Sequence, residues 1–426
     1  MSQATRILLA LAIGLGLGIL AASQNTALAE GAAVWLQPIG TAWLNALRMT
    51  IIPLIVALLV TGIAASAEAA RASRITARAV ALIATMLVLS AVFAAIATPL
   101  LLDLFPMPRE AADALAAALS GAEKVTAPPP FTEFIASIIP TNPVAAAAND
   151  AILPLIVFTA FFAFAILKLP DAQRATLTAF FQAVQDAMLV VIGWILWLAP
   201  IGVFALAYVV GARSGAAAFG ALVHYILIVS AVGAAYTLIA YPLAVFGARV
   251  KLMEYVRAVA PAQAVAISTQ SSLASLPAML RGSAALGVPV RTSGVVLPLA
   301  VAIFRATGPC MNLAVAIYVA HWFGIELSPA QLAIGVAAAA MTTLGAVSLP
   351  GTLTFVTSIA PICIAMGVPI EGLALLIAVE TLPDIVRTLG NVMMDVSVTA
   401  TVAERSGEHG APGDEGDALL IASSPD

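Results

Sequence analysis

Apolar runs of roughly membrane-crossing length recur along the chain at 7–22, 49–66, 79–104, 149–168, 188–211 and 217–247. A helix needs about 20 such residues to cross the hydrocarbon of a bilayer, so each run predicts a spanning helix. The first run, Ile7 to Ala22, follows Arg6 and precedes Ala27-Leu28-Ala29, which is also the outline of a secretory leader with a small-residue cleavage site. The runs behind it favour a first membrane helix over a leader.

Beyond Val250 the pattern loses its regularity. Stretches rich in Ser, Gly and Pro interrupt the apolar sequence at Ser268–Pro277 and again at Thr342–Thr354. A helix that breaks inside lipid leaves backbone polar groups unsatisfied, and this is tolerated only where the break is buried in protein or lines a cavity. A pair of interrupted segments points to the substrate site of a secondary transporter. Ordinary loops between short helices are the competing reading.

The last apolar segment, Leu373–Val402, carries Glu380, Asp384, Arg387, Asn391 and Asp395. At about 100° per residue these positions fall within roughly 80° of one another and form one polar stripe on an otherwise apolar helix. A charge at the bilayer centre costs at least ~2.5 kcal/mol on insertion scales, so the stripe must face protein, water or a ligand. An ion-lined pathway is the default reading of such residues. An internal ion-pair network, with Asp384 and Arg387 at i, i+3, is its rival.

Composition narrows the class. Of the 426 residues, 62% are apolar and 9% charged, against about 25% charged in soluble domains. Such a surface suits lipid rather than water, and the chain reads as an all-α polytopic membrane protein. The net charge of −4 decides nothing. Cys310 and Cys363 both lie in apolar runs, which indicates neither a disulfide framework nor a cysteine metal site. With the N-terminus in the cytoplasm, Arg71, Arg74, Arg78, Lys168, Arg174, Arg249, Lys251 and Arg257 fall on the cytoplasmic side, and Arg109, Lys124 and Arg213 on the other. The positive-inside bias therefore places the N-terminus inside. The polar stretch 403–426 reads as a cytoplasmic tail.

Two other classes compete. An intramembrane enzyme lacks support, because His224, His321 and His409 are dispersed and no HExxH or GxSxG occurs. A channel-like anion conductor would need a continuous polar pore, whereas two broken segments suit an occluded site opened alternately to each side. Nothing points to nucleic acid.

Several segments together resemble one family. Arg48-Met-Thr-Ile-Ile-Pro-Leu-Ile-Val, Ile139-Pro-Thr-Asn-Pro-Val, Leu198-Ala-Pro-Ile-Gly-Val-Phe-Ala-Leu, Ser271-Ser272-Leu-Ala-Ser-Leu-Pro277 and Leu297-Pro-Leu are similar, in order, to sequences of the dicarboxylate/amino acid:cation symporter family, which includes the glutamate transporters. The resemblance implies eight transmembrane helices plus two re-entrant helical hairpins near 260–280 and 331–365, with tips at about Ser271–Ser275 and Ala346–Gly351. It implies a homotrimer in a cell inner membrane. Within residues 1–402, helices 1, 2, 4 and 5 would form a scaffold, and helices 3, 6, 7 and 8 with the hairpins a mobile transport domain working as an elevator. The implied cargo is a small anionic substrate, an acidic amino acid or a C4-dicarboxylate, with Na+ and/or H+ as coupling ions and no organic cofactor.

Carried over by position, Arg387 matches the arginine that pairs with a substrate carboxylate, a role its two-pronged donor geometry suits. Asp384 matches the aspartate that receives the substrate's amino group, which tilts the cargo toward an acidic amino acid. Thr388, Asn391, Ser271 and Ser272 match further substrate contacts, as do Leu349 and Gly351 at the second tip. Asp395 matches a sodium-site carboxylate, Asn391 is a second candidate sodium ligand, and Glu380 stands where an acidic residue often stands. Leu273 departs from the serine-rich motif.

The larger departure lies in the seventh helix, where Phe304-Arg305-Ala306-Thr307-Gly308 replaces the family's Asn-Met-Asp-Gly-Thr. Hard cations need oxygen ligands, which Phe304 and Ala306 do not supply. The resemblance thus implies an altered sodium site, with a local charge more positive by two. Arg305 is read in three ways: as a tethered cation near Asp395 or Glu380, as a second carboxylate clamp, or as a member of a rigid ion pair.

Overall fold

The computed structural model describes residues 3–24, 26–107, 139–149, 151–214, 217–344 and 351–407, and every regular element among them is helical. Helices α1 (Gln3–Gln24), α2 (Thr26–Ala72) and α3 (Arg74–Leu104) precede the short α4 (Pro143–Ala148). Then come α5 (Ile152–Ile166), α6 (Asp171–Trp197), α7 (Ala199–Ser214) and α8 (Ala217–Thr237). After a π-helical turn at Leu243–Gly247 follow α9 (Leu252–Thr269), α10 (Ser272–Ala285), α11 (Val290–Ile303), α12 (Thr307–Trp322), α13 (Pro329–Leu344), α14 (Gly351–Met366), α15 (Leu373–Val379) and α16 (Thr381–Ser406).

Among the described residues, six stretches are long and apolar enough to cross a membrane: Thr5–Gln24, Thr26–Glu68, Arg74–Leu104, Asp171–Trp197, Phe219–Gly247 and Val290–Trp322. Shorter apolar helices lie at Ile152–Ile166, Ala199–Arg213, Pro329–Thr343 and Thr357–Met366. Two expected spans differ in shape. The run at 49–66 is the apolar part of α2, which starts at Thr26 because a helix continues through less apolar residues as long as its backbone is satisfied. The run at 188–211 is divided between α6 and α7 at Leu198. There Pro200 has no N–H to give to a preceding carbonyl, and proline is best tolerated in a helix's first turn.

Ends are capped where side chains allow. Ser73 accepts from Thr76 N at the start of α3, and Asn142 accepts from Val144 N and Ala145 N at α4. Gly407, with φ +70°, closes α16. Large apolar side chains such as Trp35, Phe161, Trp194, Trp197 and Phe246 stand exposed on the outside, the arrangement a lipid solvent accepts.

The helices pack in two groups. In one, α7 lies along α1 and α2, and α2 also meets α5 and α6. In the other, α3, α8, α13 and α16 surround α12, almost every residue of which is buried, while α9 pairs with α10 and α13 with α14 as hairpins. Arg78 Nη1 donates to Arg405 O and Ser406 Oγ, and Arg249 lies 3.5 Å from Glu404. The start of α3, the loop before α9 and the end of α16 therefore share one face of the protein.

Small residues bring α1 and α7 together. A Cβ on Gly18 would lie 2.3 Å from Tyr208 O, and one on Gly14 2.6 Å from Phe204 O. Van der Waals packing of small residues drives helix association where lipid removes the hydrophobic contrast. Gly18→Val is expected to destabilise the protein by about 1–3 kcal/mol through overpacking, read as a lower melting temperature in detergent. An unchanged melting temperature would mean that the two helices do not depend on this contact.

Candidate functional site

Two interruptions of helix face one another across α16. The first is the α9–α10 turn. Gln270 ends α9 in the left-handed region at φ 52°, and Ser271 caps α10 by accepting from Ala274 N at 3.2 Å. The second separates α11 from α12 at Phe304–Ala306. Pro309 cannot donate to the carbonyl of Arg305, so the α-helical ladder stops there, and Gly308 N bonds Arg305 O at 2.7 Å instead. Ser90 of α3 completes the break: its Oγ donates to Ala306 O at 2.6 Å and accepts from Cys310 N at 3.1 Å.

The polar stripe sits between these breaks, on a helix itself interrupted at Glu380 between α15 and α16. Arg387 donates through Nη1 to Asp384 Oδ1 at 2.9 Å and to Glu380 Oε1. The other oxygen of Glu380 accepts from Tyr225 OH of α8 at 3.0 Å. Arg387 Nε and Nη2 are buried and have no hydrogen-bond partner among the described residues. The guanidinium is thus gripped on one side, with other donors unengaged.

Further along, Asn391 Oδ1 accepts from Thr307 N at 2.9 Å and lies 2.8 Å from Thr307 Oγ1. Gly390 makes this approach possible, because a Cβ there would meet Thr307 Cγ2 at 2.4 Å. Thr307 Oγ1 has one proton and also lies 2.8 Å from Arg387 O, so it donates either to that carbonyl or to Asn391 Oδ1. The NH2 group of Asn391 suits an anion. Thr388 Oγ1 donates to Asp384 O at 2.9 Å. Asp395 is fully buried, and neither of its oxygens has a hydrogen-bond partner among the described residues.

A cavity of about 390 Å³ joins these groups, within the range of about 300–1,000 Å³ typical of small-molecule sites. It is lined by Thr269 to Leu273 from the α9–α10 turn, by Val301, Phe304 and Arg305 at the break, and by Asp384, Arg387, Thr388, Asn391 and Asp395 of α16. Arg305 and Arg387 also wall a smaller cavity of about 10 Å³ with Gly308, Asn312, Thr343, Phe355 and Ser358.

Most of the residues expected from the sequence thus meet in one place: Arg387, Asp384, Thr388, Asn391, Ser271, Ser272, Asp395 and Arg305 all line the larger cavity. Glu380 does not line it. Its oxygens are engaged by Arg387 and Tyr225, so it supports the guanidinium from behind. Leu349 lies outside the described residues, and Gly351 begins α14. Tyr225, Ser90 and the hydrogen bonds of Thr307 to Asn391 and to Arg387 O are not apparent from the sequence. The available signal was a hydroxyl inside an apolar run, which seeks a partner when buried.

A family model described as sodium:dicarboxylate symporter family matches residues 4–405. A proton/glutamate-aspartate symporter of Escherichia coli (strain K12) is 26% identical over 390 residues, covering 87% of this chain and 85% of the relative. A proton/sodium-glutamate symport protein of Bacillus subtilis (strain 168) is 26% identical over 395 residues, covering 91% and 89%. A C4-dicarboxylate transport protein of the same organism is 25% identical over 380 residues, covering 88% of each chain.

Proposed function

The chain belongs to the sodium:dicarboxylate symporter family, and from that premise we propose that it carries an acidic amino acid or a C4-dicarboxylate across the membrane together with Na+, H+ or both. The family and its relatives here are transporters rather than enzymes. The observation that carries the reading is the pairing, in one cavity, of an anion receptor with a cation receptor. Arg387 offers two buried, unpartnered N–H edges, while Asp395 offers two buried, unpartnered oxygens.

An unpaired buried charge costs several kcal/mol. Neither half of this site is stable alone, and each ligand lowers the cost of the other. A cation at Asp395 raises the affinity for an anion at Arg387, and by linkage the anion raises the affinity for the cation by the same factor. That reciprocity is the thermodynamic content of symport. Asp384 Oδ1 is engaged by Arg387, and the carboxylate also lines the cavity, where it would meet an ammonium group of the substrate. An acidic amino acid is thereby accommodated as well as a plain dicarboxylate.

The α1, α2, α5, α6 and α7 group serves as the scaffold and the group around α12 as the moving body, in a homotrimer with both termini in the cytoplasm. The closer packing within each group than between them supports the division, and the gathering of Arg78, Arg249 and the end of α16 on one face supports a cytoplasmic C-terminus. Uptake of aspartate, glutamate, succinate and malate into liposomes, with sodium and proton gradients imposed separately, tests the function. Concentrative uptake driven by one of the gradients is expected. Substrate movement that only equilibrates, with a current no gradient can drive uphill, would replace the symporter by a conductor.

A further inference from the structure

Where α3, α8 and α12 meet, at the end of the protein opposite the face shared by the start of α3 and the end of α16, three polar contacts gather around one imidazole. His224 of α8 lies with Nε2 2.7 Å from Phe105 O, just past α3, and with Nδ1 3.1 Å from Tyr318 OH of α12. The Tyr318 hydroxyl donates in turn to Ala221 O of α8 at 3.0 Å. Neither His224 nor Tyr318 lines the substrate cavity.

Counting protons decides which state of the ring fits. A carbonyl oxygen only accepts, so Nε2 must carry a proton to bond Phe105 O. The one proton of Tyr318 points to Ala221 O, so the contact between Nδ1 and the hydroxyl needs a proton on Nδ1 as well. A neutral imidazole is protonated on one nitrogen only. It forfeits one of the contacts, whereas the imidazolium makes all three together. Asp103 of α3 and His321 of α12 stand exposed nearby, His321 within electrostatic reach of both His224 and Asp103. On α7, Arg213 is paired with Glu30 at 3.5 Å. Glu380 is buried behind Tyr225.

Aromatic rings connect this junction to the substrate site. Tyr318 packs against His224 with ring centroids 5.7 Å apart, and edge-on against Tyr225 at 5.3 Å. Tyr225 donates to Glu380, which holds Arg387. We propose that His224 is a regulatory proton-binding site, separate from the substrate cavity and open to the non-cytoplasmic side, whose occupation fixes Tyr318 and Tyr225 and so tightens substrate binding at Arg387. The proton stays with the protein and does not travel with the substrate. The consequence for binding rests on the symporter reading above; the proton site itself rests on the geometry alone.

Imidazole ordinarily changes charge between about pH 5 and 8, so two measurements on the purified full chain in detergent cover about pH 5–9. The first is the 15N spectrum of the ring nitrogens. The chain has three histidines, so the His224 signals are those that remain in a variant carrying His321→Gln and His409→Gln. Both nitrogens protonated at the acid end, and loss of the Nδ1 proton at the alkaline end, are expected. A ring neutral throughout, or one whose neutral form keeps its proton on Nδ1, overturns the proposal without reference to any change at His224. The second is the affinity for aspartate, glutamate and succinate. In the parent it is expected to be at least about fivefold tighter at the acid end, the lower limit of typical coupling. In His224→Gln, which carries no charge, and in Tyr318→Phe, which lacks the hydroxyl that Nδ1 meets, the change shrinks to less than about twofold. The ligands' own titration is common to parent and variants. The number of cations coupled to each substrate stays that of the parent. An equal pH effect in parent and both variants overturns the link to Arg387, and a changed cation number in His224→Gln overturns the regulatory role by making the proton a transported one. A parent that binds none of the three ligands at any pH overturns the symporter reading instead, and the ring spectrum then judges the proton site by itself.

Discussion

Arg387→Ala is expected to reduce uptake of the anionic substrate by at least about 1,000-fold, the largest effect of any single substitution in the cavity. Removing one partner of a buried ion pair costs about 3–5 kcal/mol, and here the loss is twofold. The substrate loses its fork, and Glu380 and Asp384 lose the guanidinium that holds both of them. Two buried carboxylates left beside each other repel, and their relief is to bind protons or to admit a cation into the space vacated. A melting curve of the detergent-solubilised variant separates a destabilised protein from an empty site. Arg387→Lys provides the control, because it keeps one charge while losing the two-pronged geometry. It should fold like the parent and still transport at least tenfold more slowly. If Arg387→Ala transports the anionic substrate as well as the parent does, the site is elsewhere.

Asp395→Asn is the second. The amide is nearly the same size as the carboxylate, so packing is preserved while the charge that attracts a cation disappears. The dependence of uptake on the coupling cation should lose about one ion from its slope. The affinity for substrate at saturating cation should fall by the coupling factor, typically 5–150-fold. The check is a pair of titrations, substrate affinity against cation concentration in parent and variant. A substrate affinity that rises with cation equally steeply in both would remove Asp395 from the coupling mechanism.

The part of the site that was legible in the sequence is the part that is expensive in lipid. Glu380, Asp384, Arg387 and Asp395 stand out because an ionisable residue in an apolar helix needs a reason, and four of them on one face share a single one. What stayed hidden was cheap. Ser90, Tyr225 and Thr307 add one hydroxyl each to apolar or small-residue runs, and their partners are distant in sequence: Ala306, Glu380 and Asn391. No local pattern connects such pairs. The α9–α10 turn was readable from Ser268–Pro277, whereas the break at Phe304–Ala306 and the split at Leu198 were not; of the second interruption expected, Thr342–Thr354, residues 345–350 lie outside the described residues. At Leu198 the apolar run continues across the division, and only Pro200 marks it.

The partners of Asn391 and Glu380 stayed hidden for a related reason. A residue type announces what it can bond, not which of its atoms remains available. Asn391 has an oxygen that would suit sodium, and Thr307 N already donates to it. Glu380 has two oxygens that would suit a coupling ion, and both are engaged before any ion arrives. Asp395, which looks equivalent on paper, is the one with both oxygens open.

Ser90 gives the interruption between α11 and α12 a property of its own. Because one hydroxyl of α3 satisfies the carbonyl of Ala306 and the amide of Cys310, the opened backbone is held by a group that belongs to neither α11 nor α12. The side chains at 304 and 306 are fully buried in the core, so of positions 304, 305 and 306 only Arg305 is partly exposed. The one position of the turn that can change its chemistry without disturbing the core is therefore also one that lines the cavity.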